Sequence, residues 1–190
     1  MVNSGVTSPK GLTMLCSLLA SGCYLGSAKS ISAGALTAGD GWELIAGVPE
    51  VRQTSQEDCG TAALDMVLGY WGRPITPDEV RGASLAAPEG GIKAAALRQL
   101  AHGQGLQAFL IEGRMSDLDR ELGKNRPILV GVMKRYRQRV YPHYEVVVGM
   151  NRRKQRILTL DPAHGLRENS SEGFATEWTA AGHLALIVFP

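Results

Sequence analysis

The hydrophobic pattern changes period part-way along the chain, and that change limits the folds open to it. Between Cys59 and Leu122 apolar residues recur mostly three and four apart, whereas from Ile128 onward they gather in short β-branched runs. Ala63, Leu64, Val67, Leu68 and Trp71 form one buried helical face, closed by Gly72 and Pro74. Asp58 stands where an N-cap would, which puts Cys59 in the first turn. Thr76-Pro77-Asp78-Glu79 reads as a second helix start, Ile92, Ala96, Leu97 and Leu100 as a third helix, and Ser116-Asp117 as the opening of a fourth. Strands are expected over 106–111, 128–133, 144–149, 156–160 and 184–189. Helices first and strands later predict an α+β domain over 47–190, with N-terminal helices packed on an antiparallel sheet.

Composition narrows the function. Of 190 residues 44% are hydrophobic, and Lys+Arg 20 against Asp+Glu 18 leaves a net charge of +2. That balance excludes a strongly basic nucleic-acid binder, so no nucleic acid is expected as a partner. The first 22 residues carry Lys10 as their single charged side chain, then a mostly apolar stretch over 11–20, then small residues. This order predicts a signal peptide over 1–22; the apolar stretch is too short to span a membrane. Ala20-Ser21-Gly22-Cys23 resembles the bacterial lipobox, which implies lipidation of Cys23 and an exported, membrane-anchored lipoprotein facing the periplasm or cell exterior. Residues 23–46 are rich in Gly, Ala and Ser and are expected to form a flexible tether.

With Cys16 and Cys23 assigned to the leader and the anchor, Cys59 is the one cysteine of the domain. A helix N-terminus favours a thiolate, the attacking form in cysteine catalysis. A nucleophilic Cys needs a base, and His102, His143, His164 and His183 are the candidates. His143 stands just before an apolar strand, a rigid place from which to aim an imidazole. Asp161 directly follows another strand and precedes Pro162, so neighbouring antiparallel strands can bring it to His143.

Three separated motifs then carry a resemblance. Gln53 six residues before Cys59, the Asp58-Cys59-Gly60 core, His143-Tyr144-Glu145-Val146-Val147-Val148-Gly149 and Asp161-Pro162-Ala163-His164-Gly165 resemble the double-glycine leader peptidases. These are papain-like cysteine peptidases that process bacteriocin precursors. The resemblance covers about 47–190. It implies a papain-like fold, Cys59 as nucleophile, His143 as general base and acid, Asp161 as orienting residue and Gln53 as oxyanion donor. It also implies a peptide or protein substrate. Within these 190 residues no phosphate-binding loop or ATP-binding domain is seen, so a stand-alone, exported peptidase with no cofactor is expected.

Other features receive plainer readings. His102, His164 and His183 lack the company of a metal site, and no metal is expected. Gln56 has the wrong spacing to Cys59 for an oxyanion donor and reads as a loop residue. Phe174 and Trp178 read as core. The basic run 134–139, with Arg152, Arg153, Lys154 and Arg156, reads as solvated loop tips; contact with anionic lipid or an acidic substrate is its alternative. Two rival functions stand beside peptide hydrolysis. One is amidase- or transglutaminase-like acyl transfer on cell-envelope peptides, and the other is a non-catalytic peptide-binding module. The intact Gln53, Cys59, His143 and Asp161 set argues against the second.

Overall fold

The computed structural model describes residues 1, 26–36, 41–55, 57–76, 78–79, 82 and 91–190. Apart from Met1, the expected signal peptide and the lipidation residue Cys23 lie outside them, as does Gln56. Among the described residues are four helices, α1 (Cys59–Tyr70), α2 (Ala94–Gly103), α3 (Met115–Leu122) and α4 (Ser171–Thr179). The strands are β1 (Lys29–Ser30), β2 (Glu43–Leu44), β3 (Gln107–Glu112), β4 (Ile128–Tyr136), β5 (Arg139–Asn151), β6 (Arg156–Asp161), β7 (Gly165–Ser170) and β8 (Leu184–Phe189). Asp78, Glu79 and Gly82 are also helical. Glu79 Oε2 accepts from the Thr76 amide at 2.8 Å and Glu79 N donates to Thr76 Oγ1 at 3.3 Å, the reciprocal cap expected there.

The strands form one antiparallel sheet in the order β1-β7-β6-β5-β4-β8-β3. β4 pairs with β5 only as far as Val147, and β2 takes up the same edge beyond it, opposite Gly149 and Met150. Helices cover both faces. Leu129, Val146, Val148, Leu158, Leu160, Leu186 and Val188 pack against α1 and α2. Their neighbours Ile128, Val130, Val132, Val147, Ile157, Ala185 and Ile187 pack against α3 and α4. A strand buried on both sides has no need of polar alternation, which is why these segments read as continuous apolar runs.

Three local expectations are corrected. Part of the expected tether is paired: Lys29 and Ser30 lie against Glu168 and Arg167 of β7, and Glu43 and Leu44 lie against β5, with Ile45 buried. Backbone pairing does not depend on side-chain character, so a Gly/Ala/Ser-rich composition did not reveal it. Asp58 occupies the N-cap position of α1 without capping it through its side chain. Its backbone is already helical there (φ −86°, ψ −3°), its carbonyl accepts from Thr61 Oγ1 at 2.9 Å, and its carboxylate accepts from Thr54. The basic run is not all solvated, because Lys134 is only 4% exposed. β7 and α4 were not foreseen. β7 (GLRENS) shows no hydrophobic period, and α4 buries little besides Phe174 and Trp178, one helical turn apart.

Candidate active site

Cys59 opens α1, and the next residue explains where that helix sits. A Cβ on Gly60 would lie 2.5 Å from Ile92 Cγ2 and 3.1 Å from the Tyr144 ring. The bare glycine therefore admits β5 and the segment before α2 against the first turn of α1. Seating Gly60 on Tyr144 brings Cys59 close to His143, the preceding residue of β5, near enough for the thiol to favour the imidazole cation.

β5 and β6 are adjacent, with Val146 opposite Leu160, so Asp161 falls level with Glu145 at the end of β6. His143 Nε2 lies 2.8 Å from Asp161 Oδ1, and both side chains are buried. An ionised carboxylate only accepts, so this contact fixes the tautomer: Nε2–H donates to Asp161, and Nδ1 is left for Cys59. Asp161 Oδ1 also accepts the Ala163 amide at 2.8 Å, and Oδ2 lies 2.8 Å from His164 Nδ1. The turn that supports this carboxylate depends on Gly165, whose φ is +78° and whose Cβ would stand 2.9 Å from Arg52 Nη2 and from Glu50 Oε1.

The electrostatics favour a charged imidazole. Burial works against the His143 cation, but hydrogen bonds with Asp161 and Cys59 and the charges of Asp161 and Glu145 outweigh it. Its pKa is raised to about 10. Burial likewise opposes the Asp161 anion. The His143 hydrogen bond and charge, with His164 and the Ala163 amide, hold its carboxyl well below the usual range. Tyr144 is pushed up to about 12 by burial and by the charge of Cys59, against a backbone hydrogen bond at Ala94.

Gln53 approaches from the segment before α1. Its amide N–H donates to the Pro162 carbonyl at 3.1 Å, which ties that segment to the turn after Asp161. Its side-chain Nε2 donates to the Ser55 carbonyl at 2.9 Å, while Oε1 is buried without a partner. The expected oxyanion donor is thus close to the Asp161 turn but spends an N–H on its own loop. A cleft of about 560 Å³ lies there, lined by Arg52, Gln53, Thr54, Ser55, Pro162 and Ala163. The other histidines are engaged elsewhere, His164 on the far oxygen of Asp161. His102 Nδ1 is 3.2 Å from the Leu106 carbonyl, and His183 lies edge-on to Trp178.

Sequence reasoning missed a buried charge cluster beside the imidazole. Lys134 Nζ lies 2.6 Å from Glu145 Oε1 and 2.7 Å from Glu177 Oε2, all three side chains being buried. Glu145 shares a face of β5 with His143, and the ligand atoms of His143, Glu145 and Asp161 all lie within 4.8 Å of one another. Such a trio has the make-up of a metal site, yet the Lys134 ammonium already sits against Glu145, and Asp161 is engaged by His143. The group reads as an ion-pair network rather than a metal centre. A sequence signal existed: Glu145 and Glu177 are acids set among apolar residues.

A model of the peptidase C39 family matches residues 48–189. This chain belongs to that family. It is a cysteine peptidase domain of papain-like fold. It is 31% identical over 133 residues to the lactococcin-A transport/processing ATP-binding protein of Lactococcus lactis, covering 67% of this chain and 17% of that protein. The chain therefore spans a small part of that relative's length. The peptidase domain of Streptococcus ComA, a bi-functional ABC transporter of a quorum-sensing pathway, is 27% identical with a TM-score of 0.61, over 74% of this chain and 96% of that one. A double glycine motif protease from an AMS/PCAT transporter, solved with its leader peptide, shares the fold at 23% identity and a TM-score of 0.59, over 76% and 93%. Among the described residues no helix is long and apolar enough to cross a membrane.

Proposed function

We propose that this C39 domain hydrolyses a peptide bond through a thioester on Cys59, with His143 and Asp161 completing the triad. The observation that carries the reading is the buried Asp161–His143 contact at 2.8 Å, close to Cys59 at the start of α1. The thiolate attacks the scissile carbonyl, and His143 gives its proton to the leaving amine. His143 then takes a proton from the water that resolves the thioester. Asp161 holds the ring in the required tautomer and stabilises its cation. The Cys59 backbone N–H and the Gln53 side chain donate to the oxyanion. For this the Gln53 amide turns away from Ser55, a rotation that its partnerless Oε1 favours. The double glycine leader-peptide complex supports a peptide as substrate, in the cleft beside Gln53 and Pro162.

Cys59→Ala is expected to abolish turnover of a peptide substrate, by more than about 10³-fold, with Tm nearly unchanged. Gln53→Ala is expected to lower kcat by roughly 10²–10³-fold. Substantial turnover by the Cys59→Ala protein would overturn the assignment. Product analysis with an added amine separates hydrolysis from acyl transfer. The lipobox-like Ala20-Ser21-Gly22-Cys23 supports export and lipid anchoring at Cys23. Intact-mass measurement of membrane-extracted protein, against Cys23→Ser, tests it.

A further inference from the structure

β4 and β5 continue past the catalytic histidine as an arm of two strands. Residues 135–142 are exposed without interruption, and they include Arg135, Arg137 and Arg139 but no acid. Tyr136 is 44% exposed, Val140 51% and Tyr141 39%, which places three of the molecule's large exposed apolar side chains on this one arm. Among the described residues none of the three guanidinium groups has a carboxylate partner; Arg137 lies over the Tyr136 ring, 5.7 Å from its centroid. The contrast with Arg152 is direct, since that residue is paired with Glu43 and Asp119.

The pairing register sets the geometry. Tyr136 stands opposite Arg139, Lys134 opposite Tyr141 and Val132 opposite His143. Tyr136, Arg139 and Tyr141 thus share the face of His143, while Arg135 and Val140 share the other. Arg139 is four residues from His143, about 13 Å along an extended strand. An extended peptide reacting at Cys59 covers that distance in about four residues.

We propose that this arm is a docking surface for an acidic segment of the peptide substrate, about four residues from the bond that is cut. The proposal rests on the peptidase reading for its substrate, and on charge complementarity for its occupant: uncompensated Arg139 on the face of His143 and Arg137 at the turn, beside tyrosines whose rings can pack on a peptide and whose hydroxyls can bond to it, with Arg135 on the opposite face adding only to the field of the arm. Exposed charge pairs are each worth a few-fold in affinity and weaken with salt, so the cations of the arm together set a preference of roughly tenfold. An anionic membrane surface is the competing occupant.

The test uses the full-length Cys59→Ala protein, so that binding is read without turnover. Fluorescence anisotropy compares two labelled peptides of equal length, one carrying a run of Asp and Glu beside a neutral segment, the other Asn and Gln. The acidic peptide is expected to bind roughly tenfold tighter at low salt. Arg135→Gln/Arg137→Gln/Arg139→Gln should abolish that difference, whereas Arg153→Gln/Lys154→Gln should keep it. Equal affinity for both peptides, or a preference that survives in the triple variant, overturns the proposal. So does arm-dependent binding to phosphatidylglycerol vesicles, but not to phosphatidylcholine vesicles, that the acidic peptide fails to compete away. The triple variant with Cys59 restored should alkylate at that thiol at the wild-type rate. That result keeps a failed docking surface distinct from a failed active site.

Discussion

At the scale of single residues, the site balances more charge than a triad requires. Cys59, His143 and Asp161 are joined by Glu145, and Lys134 holds Glu145 on its far side while also meeting Glu177. Removing one partner from such a group leaves a buried charge uncompensated, which costs about 3–5 kcal/mol. The functional consequence lies with His143, whose cation both Asp161 and Glu145 favour. If the reactive form is thiolate with imidazolium, kcat/KM should hold into the alkaline range and fall as pH rises through about 10, where His143 loses its proton. Glu145→Gln removes a negative charge from beside the ring, so its alkaline limb should move to lower pH. Asp161→Asn should lower kcat by roughly 10²–10⁴-fold through the wrong tautomer. A pH profile identical in Glu145→Gln and wild type would show that Glu145 does not act on the imidazole.

At the scale of elements, the proposed pairing of Cys59 with His143 requires α1 to approach β5 closely. Gly60→Ala brings a methyl to 2.5 Å from Ile92 Cγ2 and 3.1 Å from Tyr144. Alanine is the better helix former by up to about 1 kcal/mol, but overpacking costs typically 1–3 kcal/mol. The expected outcome is a net loss of about 1 kcal/mol in a denaturant melt. A larger drop in kcat should accompany it, because Cys59 moves with the turn. Ile92→Ala in the same chain should recover part of both, since the closest clash is with the Ile92 side chain. Recovery of stability without recovery of kcat would place the obstruction at Tyr144 instead. This contact was half legible beforehand. Gly60 stood out in the Asp58-Cys59-Gly60 core, but that its bare backbone admits Ile92 and Tyr144 is visible only in the structure.

For the whole molecule, stability should carry the signature of the same pair. The folded pKa of His143 lies above its ordinary 6.5, so its contribution is complete below that pH and is lost as pH climbs to about 10. Asp161 is held below its ordinary 3.8, so its contribution is complete above that value and is lost as pH falls past it. Tm should therefore be highest between about pH 4 and 6.5 and decline on the alkaline side. His143→Ala should flatten that decline. A wild-type Tm that rises between pH 6.5 and 10 would contradict the coupling.

What the sequence determined alone was local in its physics. A period of 3.6 assigned most helices, because burial of one stripe imposes it, and continuous apolar runs assigned the core strands, because their sheet is buried on both faces. Cys59, His143 and Asp161 could be picked out as candidates because they stand beside particular helix and strand ends, whereas Gln53 came only from the family resemblance. The tertiary structure alone decided what depends on distant partners. It paired the polar β7 and the short β1 through backbone groups that carry no side-chain signature, and it set helices on both faces of the sheet. It also turned His143 Nε2 toward Asp161, and buried Lys134 between two glutamates 11 and 43 residues away in sequence. A lysine among arginines reads as solvated until its counter-charges are in place, and only the folded sheet brings them there.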